Sequence, residues 1–113
     1  MRCILIDPML RTITEEVLPV DKHNGSTLKA MYDILDVRLV ERIGLQNYDL
    51  WFDEEGLFND DYSFFRYIDK DTGNVWELAG RCVLLSVDYE EGETIALDDS
   101  ITLEEVKSCV KFI

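Results

Sequence analysis

Histidine occurs once, proline twice and cysteine three times in this chain of 113 residues, and each scarcity removes a class of function. His23 is followed by Asn24-Gly25 and reads as a solvated turn residue, with no cysteine near it to complete a transition-metal site. A serine or cysteine nucleophile needs a base beside it, and His23 is the sole histidine candidate. Cys3, Cys82 and Cys109 are odd in number, widely spaced and set among apolar neighbours, so they supply neither a disulfide framework nor a CxxC pair. They read as reduced core residues, which suits a reducing cytosol.

Other signatures are missing too. There is no GxSxG, P-loop or GxGxxG sequence. Asp53-Glu54-Glu55 and Asp98-Asp99-Ser100 offer oxygen ligands, but the alternating acids, central glycine and terminal glutamate of a calcium loop are absent. Asp53 and Asp60 would serve as a hydrolytic carboxylate pair, yet with 24 acids any such pair can be chosen and none is singled out. The expectation is a protein that is not an enzyme and holds no metal or cofactor. The apolar stretch after Met1-Arg2 ends at Asp7-Pro8, too short for a signal peptide, and no later run approaches a membrane span. A soluble, cytoplasmic protein is expected.

What is present is an apolar fraction of 47%, enough for a real core in one domain spanning residues 1–113. Cys3–Ile6 reads as a strand stopped by Asp7-Pro8, and within Thr12–Val20 a second strand is expected to end near Pro19. Ser26 is placed to cap a helix in which Leu28, Met31, Tyr32 and Leu35 share a face. The period becomes two from Val37 to Ile43, with Arg38 and Arg42 on one side. Asp49–Asp53 leads through Glu54-Glu55-Gly56 into Leu57-Phe58 as a hairpin whose glycine would take positive φ. Cys82–Val87 and Thr94–Leu97, joined by Tyr89-Glu90-Glu91-Gly92, read as a second hairpin of the same kind. The aromatic-rich segment Asn59–Asp71 fits neither period cleanly, leaving a short helix packed on the sheet or an aromatic-rich loop, of which the helix is preferred. Thr102-Leu103-Glu104-Glu105 is a capping box, followed by Leu103, Val106, Val110 and Ile113 on one helical face. The expected fold is α+β: a mostly antiparallel sheet of about five to six strands with two or three short helices.

Charge of one sign dominates. Eleven basic residues face 24 acidic ones, a net charge of −13, which argues against direct binding to nucleic acid. Residues 46–71 carry −6 and residues 72–99 another −6, while the flanks nearly balance. If the two hairpins point the same way, Asp53, Glu54, Glu55, Asp60 and Asp61 share an edge with Asp88, Glu90, Glu91 and Glu93. Such a row of carboxylates either keeps the protein in solution or presents a phosphate-like field to a basic partner. Trp51, Phe52, Tyr62, Phe64, Phe65 and Tyr67 adjoin this zone, as interface anchors or as core.

The succession Leu28–Leu35, Val37-Arg38-Leu39-Val40-Glu41-Arg42, Asp49-Leu50-Trp51-Phe52-Asp53-Glu54-Glu55-Gly56-Leu57-Phe58 and Leu78-Ala79-Gly80-Arg81-Cys82-Val83-Leu84 resembles a small family, domain of unknown function 3846, over residues 3–97. Its members occur in phages, plasmids and conjugative elements. Asp53 stands where the family more often has asparagine, and Leu57 where it has lysine. These motifs specify a turn and the opening of a strand, so the resemblance carries no catalytic residue across. It implies the setting of a mobile element, where small acidic proteins act on host machinery, including anti-restriction and anti-CRISPR proteins that imitate DNA. The leading expectation is therefore an interaction protein whose acidic face occupies a basic, nucleic-acid-binding host protein. One alternative is a small-molecule module that sequesters a nucleotide, with Arg38 and Arg42 as candidate phosphate donors. Another is a structural or assembly protein of the element.

Overall fold

The computed structural model of the chain describes residues 1–20, 28–35, 40–45, 47–53, 56 and 62–113. Strand β1 (Arg2–Asp7) and strand β2 (Thr12–Val17) form a hairpin in full register from Arg2↔Val17 to Asp7↔Thr12. Asp7 organises its turn, with Oδ1 accepting the amides of Met9 at 3.0 Å and Leu10 at 3.1 Å. Beyond β2, helix α1 (Leu28–Leu35) precedes strands β3 (Val40–Gly44) and β4 (Asp49–Asp53), which pair with each other. Strands β5 (Phe64–Ile68), β6 (Val75–Ala79), β7 (Cys82–Asp88) and β8 (Glu93–Ile95) follow. Helix α2 (Leu103–Cys109) and strand β9 (Val110–Phe112) close the chain.

Every pairing is antiparallel. The central sheet runs β2-β1-β7-β4-β3, with β8 also on β7, and a second sheet runs β6-β5-β9. The α+β expectation therefore holds in its coarse form, with nine strands in two sheets and two helices among the described residues.

Alternation assigns the two faces of the central sheet. Ile4, Ile6, Leu50, Cys82 and Leu84 point to one side and meet Phe65, Tyr67 and Leu78 of the second sheet, with Val106 and Cys109 of α2. Cys3, Val83 and Leu85 point to the other side and meet Met31 and Leu35 of α1 together with Leu18. Strand β7 is covered on both faces, which is why it is the most continuously apolar stretch of the chain. Each such side chain contributes roughly 1.5–3 kcal/mol by leaving water. The three cysteines are free and buried, as their apolar neighbours indicate.

Four sequence expectations need correction. Phe64–Ile68 is a strand rather than a helix: Phe65 and Tyr67 are buried and Arg66 between them is exposed, a period of two hidden by aromatics on both faces. The C-terminal helix stops at Cys109, because Val110 is extended and β9 pairs with β5. Its start is as expected, with Thr102 Oγ1 accepting the Glu105 amide at 3.2 Å. The second strand ends at Val17, short of the expected stop near Pro19. Finally, β4 has β3 on one side and β7 on the other, so Asp49–Asp53 is not the first arm of a hairpin with Leu57-Phe58. Leu57 and Phe58, like Ser26 and Val37–Leu39, lie outside the described residues. Gly56 does not take positive φ; a Cβ there would sit 2.7 Å from the Ala79 carbonyl oxygen, so close approach explains the glycine.

Candidate functional site

The antiparallel register of β4 and β7 decides where the acidic turns lie. Phe52 pairs with Cys82 and Asp49 with Leu85, so Asp53 stands just beyond the start of β7 while Asp88 ends it. Six residues separate Cys82 from Asp88, about 20 Å at 3.3 Å per residue. Asp53 and Asp88 therefore lie at opposite ends of the sheet. The edge expected to join Asp53 with Asp88, Glu90, Glu91 and Glu93 is not formed, because adjacent antiparallel strands send their C-terminal ends in opposite directions. Glu54, Glu55, Asp60 and Asp61 lie outside the described residues.

At the Asp53 end, polar groups are bound into the fold. The Tyr62 hydroxyl donates to Asp53 Oδ2 at 3.1 Å. Arg81 donates through Nε to Asp7 Oδ2 at 3.2 Å and through a terminal nitrogen to the Ile34 carbonyl at 3.1 Å, tying α1 to the sheet. Asp7 is only 3% exposed, so this pair is structural. Gly80, just before Arg81, has φ +81°, and a Cβ there would meet the Tyr62 ring at 2.8 Å.

Arg42, one of the two candidate phosphate donors, is also committed. It lies 3.5 Å from Asp49 Oδ2 and its guanidinium carbon stands 5.8 Å from the Trp51 ring centroid. Asp49 is buried, its Oδ2 has no hydrogen-bond partner, and the buried Trp51 Nε1 has none either. Burial raises the Asp49 pKa and the Arg42 charge opposes that shift in part. Arg38 lies outside the described residues.

The Asp88 end is built differently. Asp88 Oδ1 accepts the Glu90 and Glu91 amides at 3.0 and 3.3 Å, and Gly92 at φ +70° closes the turn onto the Asp88 carbonyl. Glu90, Glu91 and Glu93 are exposed, and among the described residues no lysine or arginine pairs with them. Tyr89, 68% exposed, reaches from this turn to the Leu45 carbonyl at 3.4 Å, bringing the β7–β8 turn beside the β3–β4 turn.

From that second turn Tyr48 passes inward to the other sheet. Its hydroxyl is hydrogen-bonded to that of Tyr67, and the rings meet edge to face with centroids 6.4 Å apart. Burial pushes Tyr48 up to about 12 and raises Tyr67 as well, so both phenols are neutral over the physiological range. Beside this pair opens a pocket of about 390 Å³. Asn47, Tyr48, Asp69, Lys70 and Asp71 line one part of it, and Ile101, Glu105, Val106, Ser108 and Cys109 the other. The sequence reading missed this pocket. Its walls come from three separate stretches, and the one local signal is the aspartate-rich Asp69–Gly73 turn, where Asp69 accepts from the Asp71 amide and the Thr72 hydroxyl.

Among the described residues no group of three or more metal-ligating side chains converges, and no helix is long and apolar enough to cross a membrane. A family model described as Domain of unknown function (DUF3846) matches residues 1–109. No curated protein and no solved structure matches the chain.

Proposed function

We propose that this chain, which belongs to the DUF3846 family, is a non-enzymatic interaction protein that occupies a basic, nucleic-acid-binding surface of another protein. The working surface in this reading is the Asp88 end of the central sheet alone. One observation carries it: Glu90, Glu91 and Glu93 are exposed without a neighbouring cation among the described residues, around the exposed aromatic ring of Tyr89. Tyrosine is a frequent anchor of interfaces, and unpaired carboxylates around it steer a cationic partner and exclude an anionic one. The setting of a mobile element and a host-defence target, of anti-restriction or anti-CRISPR type, belong to the same proposal.

Matched charge removal tests it. Host proteins retained by the immobilised chain are eluted with a salt gradient, using wild type, a Glu90→Gln/Glu91→Gln variant and a Glu41→Gln/Glu77→Gln variant. The expected result is retention that collapses with salt, is displaced by duplex DNA, and is lost at least tenfold in the first variant only. Retention indifferent to salt, or lost equally in both variants, overturns the reading.

A further inference from the structure

The second sheet packs one face on the central sheet and leaves the other to solvent. Phe65, Tyr67 and Leu78 point inward, so alternation sends Phe64, Arg66 and Ile68 of β5, Val75 and Glu77 of β6 and Lys111 of β9 outward. The register sets them in rows, with Arg66 between Glu77 and Lys111, and Ile68 beside Val75. Val75 is 54% exposed, the three charged residues are exposed, and Phe64 and Ile68 are half-buried. Arg66 shares a solvated pair with Glu77 at 3.6 Å, and Lys111 joins no ion pair among the described residues. In a chain of net charge −13 this face is cationic, with an apolar row beside it. It is the inverse of the β7–β8 turn, where Glu90, Glu91 and Glu93 surround the exposed Tyr89 ring.

We propose that these two surfaces dock on each other between copies of the chain, the β7–β8 turn of one copy seating on the outer face of β5, β6 and β9 of a second. The charges are complementary, and none of the three glutamates pairs with Arg66 or Lys111 of its own chain, so the match is left to another molecule. The Tyr89 ring against the Val75–Ile68 row supplies the apolar centre that paired charges alone lack. Screening over about 8–10 Å at physiological ionic strength mutes the distant charges of two negative molecules and leaves the local match in force. Exposed ion pairs are weak, so the association is reversible and depends on concentration. The inference goes beyond the basic-partner reading: it needs no other protein, and a basic partner and a second copy compete for the same turn.

Sedimentation equilibrium of the whole chain over about 10–500 μM, at 20 mM and 500 mM sodium chloride, tests the contact. The expected result at low salt is a weight-average mass that climbs with concentration to at least half as much again as one chain, and at high salt the mass of one chain throughout. Glu90→Lys/Glu91→Lys alone and Arg66→Glu/Lys111→Glu alone each stay monomeric at low salt, the first even though it lowers the overall negative charge. An equimolar mixture of the two associates again, because each junction regains opposite charges. Glu90→Gln/Glu91→Gln and Lys111→Gln, which introduce no like charges, weaken association at least threefold and carry the test if a reversed variant does not fold. In the salt-gradient elution, Arg66→Glu/Lys111→Glu retains host proteins as wild type does, which separates failure of this contact from failure of the basic-partner reading. Wild type that stays monomeric at low salt, association that strengthens with salt, a mixture of folded variants that stays monomeric, or neutral variants that associate like wild type overturns the proposal.

Discussion

At one end of the central sheet Asp7 is buried, caps two amides and holds Arg81, whereas at the other end Glu90, Glu91 and Glu93 stand exposed with no cation beside them among the described residues. The residue type is the same and the physics is opposite. A carboxylate withdrawn from water must be matched by donors inside the fold, and its removal is felt as stability. A solvated one adds repulsion and little else to the fold, so its retention asks for another explanation.

The sharpest way to break this contrast is Asp7→Ala. It strands the part-buried Arg81 guanidinium and leaves the Met9 and Leu10 amides without their acceptor. Because Arg81 retains some contact with water, the expected loss is about 2–3 kcal/mol, below the upper range for a fully buried pair. Urea unfolding at neutral pH measures it. A loss under about 0.5 kcal/mol, the ordinary surface value, would put Asp7 in the same class as the exposed acids.

Asp49 sharpens the contrast from within, because it is buried yet poorly matched. Its folded pKa is raised above the ordinary 3.8, so the folded chain holds this proton more tightly than the unfolded chain does. The associated stability is fully present below the unfolded value and is lost as pH rises through the folded one. Asp49→Asn removes that loss. The variant is expected to be more stable than wild type at neutral pH, with the gap closing as pH falls below the ordinary carboxylate range. Paired urea melts across pH 3–7 provide the check; a gap that widens on acidification would mean that Arg42 holds Asp49 in its charged form.

What the sequence made legible follows the same division between local and distant causes. The Thr102 cap, the apolar face of α1, the Asp7-Pro8 stop and the β7–β8 hairpin are each encoded within a few residues, and each appears in the fold. Phe64–Ile68 was opaque because Phe64 and Ile68 are half-buried on the face of Arg66 while Phe65 and Tyr67 are buried on the other, so apolar residues occupy consecutive positions. The separation of the acidic turns was equally hidden. It depends on β4 pairing with β7 instead of with the residues after Gly56, a long-range choice that no window around Glu54 or Glu90 contains. The pocket needed still more, since Tyr48, Asp69 and Glu105 meet only after three turns are placed together.

The smallest expected effect on the fold is the most informative about function. Changing Glu90 and Glu91 to glutamine leaves the turn intact, because the turn is made by their backbone amides on Asp88 and not by their carboxylates. Stability should therefore move by less than about 0.5 kcal/mol, the ordinary range for surface positions. The sign should be toward greater stability, since two charges leave an already negative surface. That gain should shrink as sodium chloride is raised, because screening over about 8–10 Å already quiets the repulsion in wild type. Urea melts at 20 mM and 500 mM salt measure both. A destabilisation of 1 kcal/mol or more would mean that these carboxylates are ligated within the fold, and the difference between the two ends of the sheet would vanish. A neutral or slightly positive change leaves the exposed acids without a folding role, so a loss of partner binding in the same variant could not be blamed on damage to the fold.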